Sequence, residues 1–182
     1  MPDNNITDLT KAINDLLSQT KLDDVTSAGS GFEELPQGYY LCNVESAVLK
    51  ESKSSHQPMA AFTLTVTENG KTMVTDKDGN AELTDVKHSK GRKIFMYYVL
   101  KDTSSVRRFV SDMLKFEGEE PGKPLLDKEY FTTSELLNEA LAVLVGCRIY
   151  VQVTKSERDD GTTQTWQNLI SWQRAAALEL PM

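Results

Sequence analysis

The sequence predicts a mainly β domain with helices: a five-stranded Greek-key barrel with a helical insertion between strands 3 and 4, preceded by an N-terminal helix. Three observations predict it. Five segments combine aromatic and β-branched residues with the two-residue alternation of strands. Two segments with apolar residues at i, i+3 and i+4 fall together between the third and fourth of these. The length of 182 residues, with 39% hydrophobic and 26% charged, suits one ordinary domain with a proper core.

The elements follow in chain order. Ile6, Leu9, Ile13, Leu16 and Leu17 recur at helical spacing, which predicts an amphipathic helix over Thr7 to Gln19. Thr26-Ser-Ala-Gly-Ser-Gly31 is a flexible linker, so residues 1–31 read as an appendage to a domain over 32–175, with 176–182 as a C-terminal tail. Leu35-Pro-Gln-Gly38 is a turn, and Tyr39 to Leu49 the first strand. After the polar loop Lys50 to Pro58 comes a second strand, Met59 to Thr67. Its Phe62, Leu64 and Val66 share one face, and Thr63 and Thr65 the other. Asp78-Gly79 signals a hairpin within an excursion over 71–91.

Lys93 to Leu100 is a third strand, apolar on both faces. Thr103 or Ser104 caps a helix over Ser105 to Phe116, whose stripe is Val106, Phe109, Val110, Met113 and Leu114, and Gly118 ends it. Thr133 or Ser134 caps a second helix, Glu135 to Leu144, broken by Gly146. Cys147 to Lys155 and Thr162 to Trp172 are the fourth and fifth strands, joined by a turn at Arg158-Asp-Asp-Gly161. The last ten residues read as a short helix or a frayed tail. Five strands with their helices between the third and fourth close most simply as the OB topology. An open sheet packed by two helices is the competing arrangement.

Charge is uneven. The net charge is −7, which argues against a simple polyanion binder. Residues 1–35 hold seven acids and two bases, whereas 86–108 hold seven bases (Lys87, Lys90, Arg92, Lys93, Lys101, Arg107, Arg108) and one acid, Asp102. Such an island is a solvated face or the footprint of an anionic ligand. Chemistry that needs a motif finds none. Cys42, Cys147, His56 and His88 lack metal-ligand spacing, and no glycine-rich phosphate loop is present. Both cysteines sit in apolar runs and read as buried reduced thiols. The acidic pairs Glu33-Glu34 and Glu119-Glu120 flank loops and read as solvation. The expectation is a non-enzyme with no cofactor and no metal. No 18-residue apolar stretch and no signal-peptide pattern are present, so the chain is expected in the cytoplasm, off the membrane.

The aromatic residues are more informative. In Lys93–Leu100, Ile94, Met96, Tyr98 and Leu100 share one face, and Lys93, Phe95, Tyr97 and Val99 the other. A small barrel buries one face, so the other needs a helix, a partner chain or a ligand to cover it. Tyr150 lies opposite Cys147, Ile149 and Val151, beside Arg148 and Gln152, and Trp166 lies opposite Leu169. Phe95, Tyr97, Tyr150 and Trp166 are therefore candidate stacking faces. Lys53, Lys90, Arg92, Lys93 and Arg148 are candidate phosphate contacts, a combination suited to single-stranded nucleic acid.

Phe32-Glu-Glu-Leu-Pro-Gln-Gly38-Tyr-Tyr40, Gly91-Arg92-Lys93-Ile94-Phe95, the Ser104-led helix, Leu144-Val-Gly146-Cys-Arg-Ile-Tyr-Val151 and Asn168-Leu-Ile170 occur in that order. Together they make residues 32–172 resemble a family of phage-encoded single-stranded DNA-binding proteins with an OB fold. The resemblance implies sequence-tolerant coating of single-stranded DNA in phage replication or recombination. A homo-oligomer and phage replication or recombination proteins are further candidate partners. The competing reading is a phage structural or assembly β-domain, in which the Phe95/Tyr97 face meets another protein.

Overall fold

The computed structural model describes residues 34–182, together with Asn14 and Ser18. The chain divides into two units, Met1–Glu34 and Leu35–Met182. The N-terminal helix expected over Thr7 to Gln19 lies outside the described residues, apart from Asn14 and Ser18, which are both helical.

The second unit is an antiparallel sheet of seven strands: β1 (Gly38–Glu51), β2 (Pro58–Val66), β3 (Gly70–Thr75), β4 (Ala81–Val86), β5 (Lys93–Val99), β6 (Arg148–Glu157) and β7 (Thr163–Ile170). Three α-helices accompany it: α1 (Thr103–Met113), α2 (Ser134–Leu144) and α3 (Trp172–Ala177). A 3₁₀ turn over Lys128–Phe131 precedes α2.

The long β1 is where the sheet branches. Its first half pairs with β6, Gly38↔Val153 to Asn43↔Arg148. Its second half pairs with β2, which pairs in turn with β5. The register of β1 against β2 shifts between Val44 and Ser46, a bulge that makes Glu45 the extra residue. The shift keeps Val44, Ala47 and Leu49 facing inward and turns Ser46, Val48 and Lys50 outward.

The barrel expected from the sequence has five strands. The sheet instead has seven and is open. The β3–β4 hairpin grows from the 71–91 excursion and joins β1 at Tyr39↔Lys71. Asp76 organises its turn by accepting from the backbone N–H of Asp78 and Asn80, which holds its carboxyl below the usual carboxylate range. Only glycine fits at position 70, because a Cβ there would lie 2.4 Å from the Tyr40 ring. The end strands β5 and β7 are not hydrogen-bonded to each other among the described residues.

The main core joins the inward faces of the strands to α1 and α2. Tyr40, Val44, Leu64, Ile94, Phe109, Phe116, Leu144 and Ile149 are almost completely buried, each stabilising the fold by about 1.5–3 kcal/mol relative to exposure. An aromatic chain crosses it by edge-to-face contacts, Phe62 to Tyr98 to Phe109 to Phe131, with centroids 5.8, 5.3 and 6.1 Å apart. The cap of α1 is Asp102, ahead of the expected Thr103 or Ser104. Its carboxylate accepts from Ser105 N–H while the Ser105 hydroxyl receives Asp102 N–H, a reciprocal capping box. Thr133 caps α2 as expected, and Gly146 takes a positive φ of 87° just beyond it.

Candidate nucleic-acid interface

On β5, burial follows the predicted alternation. Ile94 and Met96 are buried, whereas Phe95 is 52% and Tyr97 57% exposed. Register with β2 sets Phe95 beside Thr63 and Tyr97 beside Ala61, and register with β1 places Ser46 and Val48 in the next row. The result is an open surface on β1, β2 and β5 with two aromatic rings and Val48 exposed on it. Seven residues of β5 give this face a length of about 20 Å.

Cations stand at both ends. Lys93 opens β5, and its ammonium is held by both oxygens of Glu45 at 2.5 and 2.7 Å. Thr65 also donates to Glu45, and the two donors lower that carboxyl's pKa. At the far end the Lys50 ammonium sits 5.7 Å from the Tyr97 ring centroid, and Lys53 is exposed in the following loop. In that loop His56 has a positive φ of 53° and its Nδ1 lies 2.6 Å from Glu51 Oε1. The sequence pattern does not single out Lys50. Its outward position depends on the β1 bulge, which leaves no signal in the alternation.

The remaining candidates separate. Lys90 is exposed in the loop before β5, where its backbone N–H donates to Asn69. Arg92 alternates with Lys93 and is half-buried. Its charge lies close enough to Tyr40 to lower that phenol's pKa, although burial dominates and pushes it up to about 12. Trp166 is 46% exposed on β7, with its Nε1 donating to Ser156 Oγ at 3.3 Å.

Tyr150 corrects the expectation of an open stacking face. It does lie opposite Ile149 and Val151, yet it is 2% exposed. The residues after β7 turn back over it. Its ring meets Trp172 edge-on at 5.8 Å, its hydroxyl donates to the Pro181 carbonyl at 2.5 Å, and Leu41, Ile170, Ala175 and Leu180 pack around it. Burial pushes this phenol up to about 12 as well. Arg148 follows it, with its guanidinium 5.8 Å from the Trp172 ring. The segment read as a tail is therefore part of a second apolar cluster.

A groove of about 230 Å³ separates β5 from β7, lined by Met96 to Val99, Thr165 to Gln167, and Ser105 and Arg108 of α1. A polar chain bridges the two sides. Tyr98 donates to Asp112 at 3.0 Å, Lys115 pairs with the same carboxylate at 2.6 Å, and Lys115 also donates to the Leu169 carbonyl of β7 at 2.9 Å. Burial, then the Asp112 charge, raise the Tyr98 pKa far above its ordinary value.

Cys42 is buried and its thiol is pushed up to about 12 by burial. Cys147 is only half-buried, not enclosed as expected, because it lies in the turn between α2 and β6. Among the described residues no cluster of His, Cys, Asp and Glu could hold a metal ion, and no helix is long and apolar enough to cross a membrane. The chain matches no protein-family model, and no curated protein matches it significantly.

Proposed function

We propose that this chain is a sequence-tolerant single-stranded DNA-binding protein of phage replication or recombination, with no catalytic role. The observation that carries this reading is the outer face of β5. Phe95 and Tyr97 stand more than half exposed, side by side along one strand, with lysines at both ends. Each exposed ring offers a π-face to a base, and the lysines offer charge to the intervening phosphates. Sequence tolerance follows, because stacking and phosphate contact use features common to every nucleotide.

The strand order β5-β2-β1-β6-β7, with α1 and α2 between β5 and β6, supports an OB-type Greek-key arrangement. In this reading the β3–β4 hairpin is an addition and the seam between β5 and β7 is left open. The acidic total is compatible with it. Five of the seven net negative charges belong to residues 1–35, leaving eighteen bases against twenty acids over 36–182.

The test is fluorescence anisotropy of a labelled oligo-dT at two salt concentrations, for the wild type and for Phe95→Ala with Tyr97→Ala. The expected result is binding that weakens with salt, with a log–log slope near about −0.7 per phosphate neutralised. The double substitution is expected to weaken it by about 30-fold or more, from at least ~1 kcal/mol per lost stack, with circular dichroism unchanged. Absence of binding at low salt overturns the proposal and favours the assembly-type β-domain.

A further inference from the structure

We infer that the groove between β5 and β7 is a one-base pocket: a nucleobase of the bound strand leaves the β5 face and inserts between Tyr97 and Trp166, with its phosphate on Arg108. This inference rests on the single-stranded DNA reading above and adds a discrete site, a turn in the strand's path, and a residue of α1 to it.

Four observations converge on this groove. It holds about 230 Å³, below the ~300–1,000 Å³ of sites that enclose a whole drug-sized ligand, so it suits a single heterocycle and not a stack of several. Its two walls carry exposed aromatic rings, Tyr97 on β5 and Trp166 on β7, and Tyr97 also belongs to the open β5 face. A strand stacked on that face therefore reaches the groove without crossing intervening structure.

The third observation is the backbone. β5 is paired on one edge only, by β2, and β7 on one edge only, by β6. The free edges that face the groove carry peptide N–H and C=O groups without strand partners among the described residues. Such an edge is open to pairing with a ligand in place of water. The edge of a nucleobase supplies both donors and acceptors, which a purely apolar guest does not.

The fourth is charge. Arg108 is exposed at the rim and makes no ion pair or hydrogen bond among the described residues. It lines the groove together with Tyr97 of β5 and Trp166 of β7. Arg107 neighbours it on α1 and is equally exposed. An arginine fork is well matched to a phosphate entering beside the base. α1 is fixed against β5 and β7 by the Tyr98–Asp112–Lys115–Leu169 chain, so the cation is presented from a held helix.

The experiment titrates unlabelled oligo-dT into the wild type and into Trp166→Phe, following tryptophan emission. The difference between the two isolates Trp166 from Trp172. In parallel, anisotropy compares the wild type, Arg108→Ala, and Phe95→Ala with Tyr97→Ala. The inference expects Trp166 emission to change in step with oligonucleotide binding, and Arg108→Ala to lower affinity about fivefold or more. Two outcomes overturn it, and they are distinct. If oligo-dT binds and the double variant weakens it, but Trp166 emission stays constant and Arg108→Ala binds like the wild type, the groove is empty while the β5 face stands. If no protein binds oligo-dT at low salt, the inference falls together with the reading beneath it.

Discussion

On β5, Phe95 and Tyr97 alternate with buried Ile94 and Met96; on β6, Tyr150 alternates with buried Ile149 and Val151, and Arg148 stands beside it as Lys93 stands beside Phe95. The two strands therefore present the same local pattern, an aromatic and a cation on the face turned away from the core. Their fates differ. The β5 face is open, whereas the β6 face is roofed by α3 and the residues after it, down to Leu180. The difference teaches that alternation fixes which side a residue takes, while a segment distant in sequence fixes whether that side meets solvent. Tyr150 is 31 residues from the carbonyl that receives its hydroxyl.

Substitution is the sharpest way to separate the two faces. Tyr150→Ala is expected to destabilise the fold by about 3–5 kcal/mol, the range for truncating a large buried ring, read as a fall in urea midpoint. Phe95→Ala with Tyr97→Ala is expected to shift stability by no more than about 1 kcal/mol while weakening oligonucleotide binding by about 30-fold or more. A Tyr150→Ala protein as stable as the wild type breaks the comparison.

The bridge across the open seam gives a second, smaller effect. Asp112→Ala leaves the Tyr98 hydroxyl and the Lys115 ammonium without their shared acceptor, at a cost of about 1–3 kcal/mol. A change of urea midpoint indistinguishable from zero would mean that α1 is held by apolar packing alone.

Alkaline pH probes the covered tyrosines together. Tyr40 and Tyr150 are raised from 10.0 to about 12, and Tyr98 is raised further. A raised phenol keeps its proton in the folded state after the unfolded chain has lost it. Its contribution to stability is thus complete below pH 10 and lost as pH rises from 10 through 12 and beyond. Urea midpoints are expected to hold up to about pH 9 and fall steadily above pH 10. Phenolate absorbance should show a late fraction that appears only with unfolding.

The smallest effect belongs to the open face. Glu45 occupies Lys93 at its rim. Glu45→Gln frees that ammonium and is expected to tighten oligo-dT binding by about two- to threefold at low salt, with the gain vanishing at high salt. Unchanged or weaker binding would place the phosphate path away from Lys93.

The elements were largely legible in the sequence because each rests on local periodicity. The strand at Lys93, the Thr133 cap and the hairpin around Asp78-Gly79 appear where the pattern sets them; of the helical stripe, Phe109, Val110 and Met113 turn to the core, whereas Val106 stands exposed and Leu114 is the C-cap of a helix that ends at Met113. The cap of α1 is Asp102 and not Thr103 or Ser104, because Asp102 closes a capping box with Ser105. Of the candidate site, Lys93, Phe95 and Tyr97 share a face as a matter of strand parity. Arg92 does not share it, for the same reason, and has only its charge in common with them.

The sequence by itself determined the strands, the helices between β5 and β6, and which side of each strand is apolar, because these follow from propensity and from a period of two or 3.6 residues. Only the tertiary structure decided the rest. A bulge at Glu45 turned Lys50 toward Tyr97, and the residues after β7 folded back to bury Tyr150. The ends of the sheet stopped short of each other, leaving a groove between Tyr97 and Trp166. The physical reason is the same in each case. Burial is set by contacts between segments far apart in sequence, and no local pattern records which distant segment will arrive.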